Sequence, residues 1–363
     1  MNHIASRRLF AQRLIGEPLP SAVDVVGWLG AVQSQDFGAA KWAVAQRTAA
    51  ATDAELDSLF DRGQILRTHV LRPTWHFVLP QDIRWLLGLT APRVRLGVAG
   101  RFRRLEIDAE AVRQCETAWA AALAGGRHRT RSELGSILAA AGISATGQRL
   151  LHLILAAELD GLMVSGPRRG KQMTYALLDE RVPSGPAFEG GQALLELTRR
   201  FFRSHGPAQV TDFAWWAGLT TAVARTGVAA AGPALRRLSM DRKDYWIDAD
   251  SESPPPAGSA THLLPNFDEY TVAYQDRSAL HGDTAFDPAV FAFGSVLANV
   301  VTIDGLVRGA WRRLSAPPGI LMELRPLGRM KPAERQRVEE QVTRYGTFLN
   351  RPIHLVWIEP QAA

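Results

Sequence analysis

The stretch TRSELGSILAAAGISATGQRLLHLILAAELDGLMVSGPRRGKQMTYAL, residues 130–177, is the one whose reading decides the fold class. Thr130 followed by Glu133 has the spacing of a capping box, and Leu134, Ile137, Leu138 and Ala141 then recur at helical intervals. A second helical stripe carries Leu151, Ile154, Leu155 and Leu159 and stops near Gly161. Residues 162–164 and 173–177 read as strands on either side of the basic turn Gly166-Pro167-Arg168-Arg169-Gly170-Lys171. Two helices followed by a hairpin with a basic tip predict a winged helix.

Working outward, the same order recurs on both sides. Upstream, residues 22–32 read as a helix, a second helix lies around 39–47, and Thr52 with Glu55 opens a third. Residues 65–70 and 74–79, split by Leu71, Arg72 and Pro73, then predict a hairpin. Downstream, Leu194, Leu197 and Phe201 share a helical face, and Thr211-Asp212 caps a helix over 213–217. The turn Gly218-Leu219-Thr220 leads into a helix over 222–231, and strands over 236–240 and 245–248 supply a wing. Three degenerate copies predict a tandem array. Residues 251–258, with Pro254, Pro255 and Pro256, form a linker by composition. Beyond it, 263–264, 270–274, 296–303, 306–311, 320–324 and 353–358 read as strands, with one helix opened by Pro332 and carrying Val338, Val342 and Tyr345. The expected class is mainly α with β (α+β): winged-helix units at 1–100, 101–185 and 186–257, then a small β-barrel-like domain at 258–363.

Composition sets limits around this frame. The 363-residue chain has a net charge of +6, and Lys41, Lys171, Lys243 and Lys331 are its only lysines, so nearly all its positive charge is arginine. Guanidinium forks suit phosphate, although an Ala- and Arg-rich chain can equally reflect the base composition of its genome. No run is apolar enough to span a bilayer, and residues 1–15 carry Arg7, Arg8 and Arg13 without an uninterrupted apolar core, so neither anchor nor signal peptide is expected. A lone Cys115, in a region that reads as helix, excludes an internal disulfide and a cysteine-rich metal site and suits a reducing, cytoplasmic setting. Phosphate-loop, zinc-protease, Cys-x-x-Cys and nucleophile-elbow motifs are missing and the nine histidines are scattered, so neither metal nor cofactor is expected.

Two segments remain that could carry chemistry: Gln33-Ser34-Gln35-Asp36 and Arg67-Thr68-His69-Val70-Leu71-Arg72-Pro73-Thr74-Trp75-His76. In a helix, residues two apart point about 200° apart, so Gln33 and Gln35 can serve one site only if the helix has ended by Gln33. Phe37-Gly38 just beyond makes such an ending reasonable. On the hairpin, alternate residues share a face, so Thr74 and His76 point together while Trp75 points away, into the core.

These segments, with Trp28-Leu29-Gly30-Ala31-Val32 ahead of the glutamines, Leu264-Pro265-Asn266-Phe267-Asp268-Glu269-Tyr270, Asp276-Arg277 and residues 305–312, together resemble the bacterial winged-helix alkylpurine DNA glycosylases over nearly the whole chain in the same order. The resemblance implies tandem winged helices around a DNA-sized concavity and a C-terminal barrel. It also implies removal of bulky N7- or N3-alkylated purines from duplex DNA in the nucleoid, with interstrand crosslinks unhooked or antibiotic producers protected in some members. Gln33 and Gln35 take the positions of the family's catalytic pair, and Ser34 departs from it, since the family has an apolar residue between the two.

Glutamine can act neither as acid nor as base, but a purine alkylated at N7 or N3 is already cationic and leaves neutral, so no general acid is needed. What is left is to place a water and stabilise an oxocarbenium-like sugar, which two amide oxygens can do, with Asp36 as a lesser electrostatic helper. Thr74 and His76 are near-site candidates. Arg72, Arg168, Arg169, Lys171, Arg277, Arg312 and Arg313 are candidates for DNA contact. Scarce lysine suits a monofunctional enzyme without a covalent lysine intermediate, acting as a monomer. Two other readings stand beside this one: a winged-helix transcription regulator with structural glutamines, against which three units in one chain argue, and a protein-interaction scaffold.

Overall fold

The computed structural model describes residues 3–183, 185, 188, 191–240, 242–252, 260–281, 299–316 and 319–358. Most of the proline-rich linker and residues 296–298 of an expected strand lie outside them. The fold is mixed α+β, with helices leading into small hairpins three times over and then a larger sheet.

The first run holds α1 (His3–Ala11), α2 (Ala22–Leu29), β1 (Val32–Gln33), α3 (Phe37–Ala45), α4 (Asp53–Asp61), β2 (Leu66–His69) and β3 (Trp75–Val78). Ser21 caps α2 by accepting the Asp24 N–H, and Gly30, at φ 79°, stops it three residues earlier than its apolar pattern suggests. The freed chain pairs antiparallel with β3, giving a sheet ordered β1-β3-β2 with Gln33 opposite His76. Two long helices follow, α5 (Pro80–Arg104) and α6 (Ala109–Leu123). α6 buries the stripe Cys115, Trp119 and Leu123, whereas α5 contains Pro92 and buries Ile83, Leu86 and Val94 while Arg101, Arg103 and Arg104 fill its last turn.

The second run is β4 (Arg129–Thr130), α7 (Arg131–Ala140), α8 (Gly147–Leu159), β5 (Met163–Arg169), β6 (Gln172–Leu177) and the single turn α9 (Leu178–Arg181). The capping box forms as its spacing predicts, Thr130 accepting the Glu133 N–H and Glu133 the Thr130 N–H. The third run is α10 (Gln192–His205), α11 (Val210–Ala217), α12 (Thr221–Ala231), β7 (Leu235–Met240) and β8 (Lys243–Asp248). The cap of α11 is Gln209 paired with Asp212, not Thr211-Asp212, because Asp212 lies at the third helical position, where its carboxylate reaches back to the Gln209 N–H.

The last part holds β9 (Thr261–Leu264), α13 (Glu269–Val272), β10 (Asn299–Ile303), β11 (Leu306–Ala316), β12 (Gly319–Pro326), α14 (Pro332–Leu349) and β13 (Ile353–Trp357). Residues 270–274, expected as a strand, begin in α13 instead: the Asp268 carboxylate accepts the Tyr270 N–H, and a helical turn lets Tyr270 and Tyr274 both be buried. The sheet runs β13-β12-β11-β10-β9, antiparallel except for the parallel β12–β13 pair, whose crossover is α14. Among the described residues no pairing joins its two edges into a barrel.

Apolar burial ties the runs together. One core gathers Leu66, Val78, Leu86, Phe201, Phe213, Trp216 and Tyr274, and a second gathers Leu29, Trp42, Phe60, Phe77, Trp311, Val338 and Tyr345. The hairpin β2–β3 contributes to both, Val78 to the first and Phe77 to the second, so it is clamped on its two faces. The candidate site is built on that hairpin.

Candidate active site

Gln33 to Asp36 is the link between a helix that has stopped at Gly30 and one that starts at Phe37, where Asp36 caps α3 by accepting the Ala39 N–H at 3.0 Å. The link is held to the hairpin because the Ser34 N–H donates to the Trp75 carbonyl at 2.7 Å. Gln33 is therefore in extended backbone, which removes the geometric objection a helix would have raised to a shared site with Gln35.

Gln33 is 6% exposed and fixed at two points. Its backbone N–H donates to Glu269 Oε1 at 2.7 Å, and its side-chain Oε1 accepts from Arg72 Nη2 at 2.8 Å. Glu269 is fully buried; its Oε2 accepts from the Trp216 indole at 2.9 Å and lies 3.6 Å from His205 Nε2. Burial pushes the Glu269 pKa up, but His205 and the Gln33 N–H hold it below its ordinary value, so the carboxylate is charged. Burial lowers the Arg72 pKa, with Glu269 opposing and Arg277 adding.

His76, opposite Gln33 in the sheet, is fully buried. Its Nδ1 is 2.9 Å from the Thr74 carbonyl, and its Nε2 and the Thr74 hydroxyl have no partner. Burial, with Arg72 adding and Glu269 opposing, drives its pKa down to about 3, so the ring is neutral. Trp75 takes the opposite place from the one expected: it is half-exposed, and His76 is the residue inside. His76 shares its face with Val78, which lies in the core that also holds Phe201 and Trp216, and that makes this face the interior.

Gln35 is exposed, and its neighbour Ser34 is completely buried with an unpartnered hydroxyl. Arg67 fastens this half of the link, donating from Nε to the Ser34 carbonyl at 3.0 Å and from Nη2 to that of Gln35 at 3.5 Å. Its guanidinium lies 4.3 Å from the Trp75 ring centroid, and His69, paired with the buried Glu158, packs on the same ring at 4.4 Å. Arg67 and Trp75 line an open groove of about 1210 Å³ whose other wall includes Thr130, Arg131, Gln148 and Tyr175.

The remaining basic candidates are scattered. Arg277 is half-buried near Arg72. On the β5–β6 hairpin, Arg168 is ion-paired with Asp57 and Asp61 at 2.9 and 3.0 Å, Arg169 with Glu133 at 2.8 Å, and Lys171 is exposed. Arg312 pairs with Glu323 at 2.6 Å, while Arg313 donates to the Tyr345 hydroxyl at 3.0 Å and borders Gly38 at the start of α3. Among the described residues no group of three or more His, Cys, Asp or Glu is gathered to hold a metal ion. Sequence reasoning missed Glu269, Arg67, Trp216 and His205; Arg67 and Glu269 stand inside segments it had singled out, yet nothing local says that they reach the glutamines.

A family model described as DNA glycosylase AlkZ-like matches residues 26–348. An interstrand DNA cross-link repair glycosylase of Streptomyces sahachiroi is 25% identical over 331 residues, which cover 84% of this chain and 87% of that protein. The solved structure of the Streptomyces sahachiroi DNA glycosylase AlkZ has the same fold, with a TM-score of 0.77 over 98% of this chain and 99% of that one at 22% identity.

Proposed function

The chain belongs to the AlkZ-like DNA glycosylase family, and from that premise we propose that it hydrolyses the N-glycosidic bond of N7- or N3-alkylated purines in duplex DNA, bulky adducts and interstrand crosslinks among them. The three helix-and-hairpin runs act as winged helices that grip the duplex, and Gln33 and Gln35 hold the attacking water. The observation that carries this reading is the arrangement of the pair: Gln33 is fixed through its N–H and its amide oxygen, and Gln35 is exposed, its carbonyl held by Arg67, a residue that lines the groove.

The lesion's own positive charge does the work of a general acid, since the alkylated base departs neutral. The second lone pair of the Gln33 oxygen and the amide of Gln35 orient the water, their carbonyl dipoles face the charge that develops on the sugar, and the proton that the water sheds on adding to the sugar carbon passes to solvent. His76, neutral and buried, neither donates nor accepts a proton in this scheme. The groove beside Arg67 and Trp75 leaves room for an appendage larger than a methyl group, and the Streptomyces sahachiroi relative, by its name a crosslink repair glycosylase, supports the bulkier lesions.

The test is release of 7-methylguanine and of a bulky N7-guanine adduct from duplex DNA by the wild type and by Gln33→Ala and Gln35→Ala proteins that still bind DNA. We expect excision by the wild type and a drop of at least about 100-fold in each variant, the scale of about 3 kcal/mol that one well-placed polar group contributes in a transition state. DNA binding without abasic product from either lesion would instead support a regulator.

A further inference from the structure

We propose that Glu269 is the positioning residue for Gln33: it completes the edge of β1 in place of a neighbouring strand and so fixes the geometry of the glutamine pair. The proposal rests on the reading of Gln33 as part of the water-holding site. β1 is only two residues long and lies at the edge of its sheet, pairing with β3 on one side only. So short a strand has little hold on its own register, and its outward N–H would be a buried donor without an acceptor. Glu269 Oε1 supplies that acceptor at 2.7 Å from Gln33 N, across 236 positions of sequence.

The carboxylate is itself rigidly placed. It opens α13, whose cap Asp268 is held by Arg47 at 2.9 and 3.0 Å, all three residues being buried. Its second oxygen is anchored by the Trp216 indole of α11, with His205 of α10 alongside. A charge this deep persists only where partners replace its water, and here each partner fixes the angle at which Glu269 meets β1. Its field also acts on Arg72, the residue that holds the other end of Gln33. Glu269 thus acts through Gln33 and has no need to touch the substrate.

Two variants separate reach from charge. Glu269→Gln keeps the length and one acceptor oxygen, whereas Glu269→Asp keeps the charge but withdraws it from β1. Single-turnover release of 7-methylguanine and DNA affinity are measured well below each protein's thermal midpoint, together with hydrogen exchange at the Gln33 amide. The expected result is at least a 30-fold slower release for Asp and within fivefold of wild type for Gln, with affinity within twofold throughout and the Gln33 amide deprotected in Asp alone. An Asp variant as fast as wild type, a Gln variant slower than Asp, or rate and affinity falling together would overturn the proposal. If the wild type itself releases no base, the reading under the previous heading fails, while amide exchange still decides whether Glu269 holds Gln33.

Discussion

Arg72 stands 2.8 Å from the amide oxygen of Gln33, and its position at the tip of a basic hairpin also suits a phosphate. The two duties predict different defects. As a clamp on Gln33, Arg72→Met should slow base excision by about 10- to 100-fold at unchanged DNA affinity, since hydrogen bonds to charged groups contribute about 1.5–3 kcal/mol. As a phosphate contact, it should weaken binding uniformly and lower the slope of log K against log salt by about one. Its buried Nε, unpartnered, and the 2.8 Å bond favour the first outcome, and titration of binding at several salt concentrations beside single-turnover rates decides it. At this scale the sequence could name Gln33, Gln35, Arg72 and His76, because they fall in short recognisable segments. It could not say which of Trp75 and His76 faces solvent, since alternation fixes only that they differ.

Two turn glycines have similar backbones and different surroundings. Gly142, after α7, has φ +74° and open space where a Cβ would stand; Gly218, after α11, has φ +66° and would place a Cβ 2.0 Å from the Leu71 carbonyl oxygen. Gly142→Ala should therefore show the left-handed strain alone, about 1 kcal/mol. Gly218→Ala adds a clash with backbone and should cost about 3 kcal/mol or more, read from urea unfolding midpoints at constant m. Because Leu71 precedes Arg72, the second substitution should also slow excision, and equal rates in the two variants would deny that coupling. The turn after α11 was legible from Gly218-Leu219-Thr220, but its contact with the first hairpin was not. The helix α5 escaped notice for a related reason: Pro92 interrupts its pattern, and burial of Ile83, Leu86 and Val94 by neighbouring helices overrides weak local preference.

Acid sensitivity belongs to the whole molecule, because it arises from histidines that the packing of all runs has closed in. His76 and His262 are fully buried, and burial lowers their pKa values to about 3 and about 4; that of His205 is lowered too. Unfolded, each binds a proton near pH 6.5, whereas the folded protein does not, so the unfolded state gains protons first as the pH falls. Their contribution to stability is complete above about pH 6.5 and is lost progressively on descent to about pH 4 and then 3. The thermal midpoint should be level above pH 7 and fall between pH 6.5 and 4.5, ahead of ordinary carboxylate titration. His76→Gln should flatten that fall in calorimetry at stepped pH, and an unchanged slope would mean that His76 is not buried neutral.

The sequence by itself determined what is settled within a few residues: the capping box at Thr130 and Glu133, the alternation of the hairpins, and so the order of helices and hairpins. These are contacts between neighbours along the chain, and residue order writes them directly. Only the tertiary structure decided that Glu269 meets Gln33 across 236 positions, that Arg47 meets Asp268 across 221, and that the last strands form an open-edged sheet against α3 and α14. Those contacts depend on which apolar faces bury one another, and many pairings of faces satisfy the same local pattern until the whole chain packs.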